Sequence, residues 1–507
     1  MHHDESQPQQ RRQERIYRAL MQNLHPLAWR NPQPVDMYNL VVLGAGPAGL
    51  AAASSAAAMG AKVAIVERNV LGGNSLNVGS VPSKTIYRTS RLYADMRDAE
   101  NFGGQVPDNI RIDFASAMER MRRIRTRLSR YESVERMSAA GIDVFFGEGR
   151  FTGPRAITID GKALRFKKAL IATGSRPVTA MIPGLTETGY LTDKNVFDLN
   201  ECPHRLMVVG GGPLGCEGAQ AFCRLGAHVV IAQNNPTFLP GEERDAAQIL
   251  CDALIRDGIE VHLNTKVVGV RLDGGQKLVD LVCVDLKKTI AVDAILVGVG
   301  RAPNVEGMNL EAAGVDYDTA AGVRVNDFLQ TTNPNIYAAG DVCLEQKFTH
   351  TAAASARIAA QNALFLGRKR YSALTIPWCT YTDPEIAHVG LYARQACERH
   401  IPVETFTILM HDVDRAIADG EEEGFVKIHL RGGTDRILGA TIVARHAGEM
   451  INALSLAINA KIGLHAMAQV IYAYPTQAEA IKMAADAYNR TRRKSILKYL
   501  SSRWLNW

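Results

Sequence analysis

Paired cysteines are missing from the 507 residues. The eight cysteines are Cys202, Cys216, Cys223, Cys251, Cys283, Cys343, Cys379 and Cys397. None falls in a Cys-x-x-Cys pair and none stands at zinc-finger spacing from a histidine, so no metal site is read and the thiols are expected to be free, in a reducing compartment. No apolar run approaches the roughly 20 residues that a membrane span needs. The N-terminal Met-His-His-Asp-Glu-Ser is polar and has no signal-peptide core, so a cytoplasmic protein is expected. Charge of one sign is also scarce: 58 Lys and Arg stand against 52 Asp and Glu, a net +6. No basic stripe interleaved with aromatics runs through the body, and no nucleic-acid partner is expected. Only four tryptophans accompany 43 glycines, a balance that favours α/β architecture with many tight turns. The chain is too long for one core and predicts two to four domains.

What is present is glycine-rich and ordered. Tyr38-Asn-Leu-Val-Val-Leu43 reads as a buried parallel strand. It runs into Gly44-Ala-Gly46-Pro-Ala-Gly49 and an Ala-rich helix to Met59. A second strand, Lys62–Glu67, ends in a carboxylate. Glycines at those positions allow a tight turn and let a pyrophosphate approach free N–H groups at a helix N-terminus, while Glu67 is placed to bond a ribose diol. A lone Gly-x-Gly-x-x-Gly is weak evidence; strand, turn, helix, strand and acid in that order are strong. The pattern recurs at Leu206-Met-Val-Val-Gly210-Gly-Gly212-Pro-Leu-Gly215, followed by the strand His228–Gln233. There Gln233 replaces the acid and no arginine stands beside it to take a 2′-phosphate, which leaves NAD versus NADP open. Two such units form an internal repeat suited to bringing two dinucleotides together.

The stretch Leu71-Gly-Gly-Asn-Ser-Leu-Asn-Val-Gly-Ser-Val-Pro-Ser-Lys84 resembles the active-site segment of the FAD-dependent pyridine nucleotide–disulfide oxidoreductases, the family of dihydrolipoyl dehydrogenase, glutathione reductase and mercuric reductase. That family has Gly-Gly-x-Cys-Leu-Asn-x-Gly-Cys-x-Pro-Ser-Lys, with the two cysteines as its redox disulfide. Here both are serine, Ser75 and Ser80. Further motifs carry the likeness from about residue 38 to 490: Ala172-Thr-Gly-Ser-x-Pro177, Gly300-Arg-Ala-Pro-Asn304, Gly340-Asp341 followed by Lys347-Phe-Thr-His350, Pro384-Glu385 with Val389-Gly390, and Tyr474-Pro-Thr-Gln-Ala-Glu479. Together with Val413-Asp-Arg-Ala416 they lie closest to mercuric-reductase-like members.

The resemblance implies an α/β fold with two Rossmann-like dinucleotide-binding domains plus a C-terminal α+β interface (dimerisation) domain. The implied boundaries are an arm at 1–35, an FAD domain at 36–190 and 316–370, an NAD(P) domain at 191–315, an interface domain at 371–490 and a basic amphipathic tail at 491–507. It implies FAD bound by Gly44, Gly46, Gly49, Glu67, Gly73, Asn74, Lys84, Gly149, Thr173, Gly174, Ser175, Asp341, Lys347, Phe348, Thr349 and His350. NAD(P)H falls to Gly210, Gly212, Gly215, Gln233, Val267 and Gly300. It places Lys84 near the flavin N5, paired with Glu217. The family's usual acid/base His is Tyr474 here, with Glu479 as its orienting acid. A phenol titrates near 10 and is a poor base at neutral pH.

The family passes a hydride from NAD(P)H to FAD and two electrons on to the disulfide. The first half can survive in this chain. The second cannot, because serine forms no disulfide and no thiolate. Three readings stay open. The serines are an engineered trap of a disulfide or mercuric-reductase-like enzyme; or they are natural, and a homodimer passes electrons to a quinone, a dye, oxygen or a partner protein; or the chain binds FAD without turnover, as a redox sensor or structural homodimer. The arm is expected to carry a short amphipathic stretch, Arg15–Leu24, with Ile16, Ala19, Leu20 and Leu24 on one face, ended by Pro32 and Pro34. The tail is expected to pack on the dimer surface or to touch a membrane surface or partner.

Overall fold

The computed structural model describes residues 6–106, 110–284, 286–365 and 367–493. The expected tail lies outside the described residues from 494 onward. The described residues form two compact units: those up to His204 with Val270–Leu272 and Asp293–Ala373, and Arg205–Gly269 with Asp273–Val292 and those from Leu374 onward.

In the first unit a parallel sheet is built from β1 (Tyr38–Leu43), β2 (Val63–Glu67) and β3 (Ile142–Phe146), with β6 (Lys162–Ile171) on the other side of β1 and the strand Ile336–Ala338 beyond it. β4 (Arg150–Gly153) and β5 (Ala156–Ile159) pair antiparallel with the start of β6. β1 lacks polar alternation because both of its faces are covered, as parallel strands require. Its register puts Leu43 beside Val66 on one side and Ile171 on the other. β1, β2, β6 and Ile336–Ala338 therefore end together, and the turns after them face one cleft.

The helix α2 (Pro47–Ala58) covers this sheet and packs against the helix Thr349–Leu364. Both present alanines, Ala52, Ala53 and Ala56 against Ala352, Ala356 and Ala359, all buried, so the backbones approach closely. Three further helices, α3 (Gly73–Asn77), α4 (Ser80–Arg97) and α5 (Phe114–Ser129), carry the Ser75–Lys84 stretch and its support.

The arm differs from the sequence expectation. Its helix, α1, runs Ser6–Leu24 and stops before Pro26, whose ring bars a further helical turn, not at Pro32. Leu20 and Leu24 are buried and Ile16 is half-buried, but Ala19 faces solvent. α1 packs on α5, with Asn23 Nδ2 donating to Ser129 Oγ at 2.8 Å and Arg12 paired to the buried Glu119 at 2.9 Å.

In the second unit the strands Arg205–Val209, His228–Ala232 and Glu260–His262 are parallel, with the helix Pro213–Arg224 after the first. A five-stranded antiparallel sheet follows, ordered Pro377–Thr380, Glu385–Gly390, Ile437–Ala444, Phe425–Arg431, Val403–Leu409. The helices Ala447–Asn459 and Glu479–Arg493 bury Leu454, Ile481 and Ala484 on a core that includes Val426, Ile428 and Ile442.

A Cβ at Gly49 would stand 1.8 Å from the Gly44 carbonyl oxygen. Gly49→Ala should cost about 1–3 kcal/mol of stability, more if the helix cannot shift; urea unfolding with an unchanged midpoint would show that the close approach is not made. Glu132 lies against Gly72, and its Oε2 is buried with no hydrogen-bond donor among the described residues. Burial pushes its carboxyl up to about 7. A carboxyl raised on folding stabilises while protonated, and that stability is lost as pH climbs from the ordinary range near 4.5 through 7. Glu132→Gln should flatten this loss, worth about 1–3 kcal/mol, so the variant gains on the wild type between pH 5 and pH 8. Parallel unfolding curves for the two proteins at both pH values would contradict it.

Candidate functional site

The cleft of the first unit holds about 480 Å³. It is bounded by the turns at Gly44–Ala48, Glu67–Val70, Ala172–Arg176 and Ala339–Asp341. Gly44 has φ +97°, and a Cβ there would meet the Ala172 carbonyl oxygen at 2.5 Å. A Cβ at Gly73 would meet Gly46 Cα at 2.6 Å. The glycines thus leave a cradle of bare backbone. The N-terminus of α2 opens on it with no side-chain cap, so its N–H groups are available to an anion.

Glu67 reaches back to the glycine turn: its Oε2 accepts from Ala45 N at 2.8 Å and its Oε1 from Asn69 N at 2.9 Å. Burial nevertheless raises its carboxyl above the ordinary range, against the pull of those N–H groups. Gly149 lines a smaller hollow of about 120 Å³ beside Glu67. A Cβ there would stand 2.6 Å from Leu43 Cδ2.

Ser75 on α3 and Ser80 at the start of α4 meet at a third hydroxyl. Thr349 Oγ1 donates to Ser75 Oγ at 3.1 Å and lies 3.2 Å from Ser80 Oγ. All three residues line the cleft. Asn74 fixes α3 by donating to the Ser175 carbonyl at 2.8 Å, and Asn77 donates to the carbonyls of Leu71 and Gly73, both at 2.9 Å. Lys84, one turn into α4, is half-buried with Nζ 5.4 Å from the Tyr87 ring centre. Lys347 lines the cleft and donates to the Leu344 carbonyl at 3.2 Å. Phe348 and His350 stack on each other, ring centres 5.5 Å apart, with His350 exposed.

A polar relay the motifs did not single out braces the far wall. Ser175 Oγ donates to Asp341 Oδ2 at 2.6 Å and accepts from Arg301 Nε at 2.8 Å; Arg301 in turn pairs with the buried Asp193. Thr173 and Asn304 exchange hydrogen bonds, Oγ1 to carbonyl and Nδ2 to carbonyl, each 2.8 Å. Arg301 and Asn304 belong to the Gly-Arg-x-Pro-Asn turn, which could have flagged them. Asp193 sits in no motif and carried no signal. Gly300 and its neighbours stand in this first unit, with Val178 N donating to the Gly300 carbonyl at 3.0 Å and Arg301–Pro303 pairing with Ser175–Pro177.

The second unit repeats the cradle. Gly210 has φ +102°, Gly212 precedes the helix Pro213–Arg224, and a Cβ at Gly215 would stand 2.0 Å from the Gly210 carbonyl oxygen. Gln233 Oε1 accepts from Gly211 N at 2.8 Å. It makes the bond that Glu67 makes to Ala45, without the charge. Glu217 is buried on that helix and accepts the Tyr381 N–H at 2.8 Å. Val267 is buried in the strand Thr265–Asp273.

Tyr474 is exposed, and its hydroxyl donates to Asp414 Oδ2 at 2.8 Å. That bond, with the Asp414 charge, raises the phenol further above 10. Its hydrogen-bonded carboxylate is therefore Asp414, which lies in the quoted Val413–Ala416 stretch. Glu479 begins the helix Glu479–Arg493 and adds only a through-space contribution. The neighbouring Gln477 donates to Glu421 at 2.5 Å, and Glu421 is held by Arg445 at 3.0 Å.

A family profile described as pyridine nucleotide-disulphide oxidoreductase matches residues 38–359, and one for that family's dimerisation domain matches residues 376–485. A mercuric reductase from Staphylococcus aureus is 32% identical over 453 residues, covering 89% of this chain and 83% of that protein. A dihydrolipoyl dehydrogenase from Thermus scotoductus is 32% identical over 471 residues, covering 89% and 98%. The crystal structure of LpdA from Mycobacterium tuberculosis matches with a TM-score of 0.82 at 27% identity, covering 90% of this chain and 100% of that one. The family implies FAD and NAD(P)H, and both glycine cradles fit a dinucleotide, since in each a turn held close by glycine leads into a helix N-terminus with no side-chain cap. The chain belongs to the pyridine nucleotide-disulphide oxidoreductase family and carries its dimerisation domain.

Proposed function

We propose that this protein is an NAD(P)H-dependent flavoprotein oxidoreductase whose electrons pass to a small-molecule or protein acceptor with no dithiol relay. Bound FAD would supply the two-electron chemistry, accepting hydride from the nicotinamide and releasing electrons to the acceptor. The observation that carries this reading is the Ser75–Thr349–Ser80 hydroxyl bridge in the cleft, where related enzymes hold redox cysteines.

Among the described residues no cysteine lines that cleft. Cys343, two residues past Asp341, is held above the ordinary thiol range by burial and then by the Asp341 charge, so it is no thiolate. The bridge also gives both serines a polar partner. The site is thus complete as a hydroxyl site, and this favours direct transfer over a merely blocked disulfide enzyme.

The chain's own residues would bind and orient. The Gly44–Gly49 turn and the N-terminus of α2 would take the pyrophosphate, Glu67 the adenosine ribose, and Asp341, steadied by Ser175, the ribityl chain. Gly210–Gly215 and Gln233 would take the nicotinamide dinucleotide; with a neutral amide at Gln233, either nicotinamide coenzyme can be accepted. In the dimerisation domain Ile471 is 95% exposed and Leu456 64% exposed, in keeping with a homodimer that covers them. Among the described residues no helix is long and apolar enough to cross a membrane.

Anaerobic titration of the purified protein with NADPH and then NADH is the direct test. The flavin spectrum should bleach with one two-electron equivalent and show no second phase, because no disulfide remains to be filled. A flavin that stays oxidised with both coenzymes would refute catalysis. Ser75→Cys combined with Ser80→Cys should restore the second two-electron capacity, and two titratable thiols should appear on reduction. A double variant with no reducible disulfide would show that these serines do not occupy the redox positions.

A further inference from the structure

Residues 1–37 precede the region that matches the family profile, yet they are joined to the wall of the cofactor cleft. The chain leaving α1 crosses the segment after β2. The Leu24 carbonyl accepts the Leu71 N–H at 3.3 Å, and both side chains are fully buried. His25 Nδ1 lies 2.6 Å from the Asn69 carbonyl oxygen. A carbonyl can only accept, so Nδ1 carries the proton and donates.

The His25 ring also stacks on Phe146, centres 3.8 Å apart and planes 6° from parallel, while Trp29 meets the same ring edge-on. Asn31 completes the attachment. Its Nδ2 donates to the Phe146 carbonyl and its Oδ1 accepts the Phe146 N–H, both at 2.7 Å. One side chain thereby satisfies the outward backbone groups of Phe146, the last residue of β3, which is the edge strand of the sheet.

Both anchors converge on the ribose carboxylate. Phe146 is the register partner of Glu67 across β2 and β3. Asn69, held by His25, donates its N–H to Glu67. The segment from Arg68 to Gly73 lines the cleft through Arg68, Asn69, Val70 and Gly73. Gly72, at φ +92°, ties it back to the glycine turn through its N–H to the Ala45 carbonyl at 2.8 Å. Without the arm, the Asn69 carbonyl and the Leu71 N–H would lose these partners and the segment could swing away from the cleft.

We propose that Leu24–Asn31 is a strap that retains the flavin cofactor, with His25 and Asn31 as positioning residues that hold the 67–73 segment closed beside the adenosine end of the cleft. The proposal rests on the cleft being the FAD site. It assigns the arm the job of slowing cofactor loss, not of building the fold, because the sheet beneath it is complete without any strand from the arm.

The test is the rate at which FAD leaves the full-length protein on dilution, followed by the rise in free-flavin fluorescence. It is read beside the melting temperature of the apoprotein and the affinity for NADH. His25→Ala with Asn31→Ala should speed FAD loss by about tenfold or more, as removal of several hydrogen bonds of ordinary strength would, with at most a small fall in apoprotein melting temperature and with NADH affinity at its wild-type value. ADP, which fills only the adenosine end, should lose affinity in parallel. Removal of residues 1–31 should act in the same direction and further.

An unchanged rate of FAD loss in the double variant would overturn the strap. So would a fall in apoprotein melting temperature that accounts for the flavin loss, since the arm would then be merely structural. Wild-type apoprotein that takes up no FAD would refute the flavin reading itself, and the strap with it.

Discussion

The first unit depends on how closely α2 can approach the end of β1. At Gly49 the helix backbone lies so near the Gly44 carbonyl that no side chain of any size fits between them. That contact aims the uncapped N-terminus of α2 at the cleft. It also sets the turn at the height where Ala45 N meets Glu67 and Ala45 O meets Gly72 N. A single steric condition therefore places the uncapped N–H groups of α2, the Glu67 carboxylate and the Gly72–Gly73 turn that leads to Ser75. The second unit meets the same condition at Gly210 and Gly215, with Gln233 in place of Glu67. The hydrogen bond to the turn is kept there and the charge is given up, which shows that the side chain serves the turn as well as any ligand.

On this frame a few oxygen atoms line the cleft beyond the glycine turn. Two serines and a threonine form a continuous hydroxyl contact in the cleft. Hydroxyls hydrogen-bond in several geometries but neither store electrons nor ionise near neutral pH. The wall opposite is stiffer, since Asp341, Ser175, Arg301 and Asp193 form a chain of charge-assisted contacts. The cleft thus joins a hydrogen-bonded, charged wall to a neutral rim of hydroxyls. In the second unit Tyr474 is likewise a neutral group, kept protonated by Asp414. Neither group is a base or a nucleophile of ordinary strength at neutral pH.

The arm lies before the stretch that matches the family profile. Its helix is amphipathic and would be marginal alone. Packed on α5 it becomes an anchor, and the seven residues after it, His25–Asn31, touch the outer strand and the cleft segment at the same time.

The sequence by itself determined the elements whose chemistry is local. Glycine is required where backbones touch, as at Gly49 and Gly215, so both cradles, the strands around them and the order of motifs were legible in the chain. The missing thiols were equally plain. Tertiary structure alone decided what depends on partners distant along the chain. Thr349 joins two serines more than 260 residues away. Asp414 holds Tyr474, and Asp193 completes a relay through Arg301. α1 begins at Ser6, earlier than its apolar periodicity suggested, and leaves Ala19 exposed. In each case the side chain is ordinary at its own position. Its partner is selected by the packing of strands and helices, because a hydrogen bond or ion pair is set by distance in space and leaves no period or spacing in the chain.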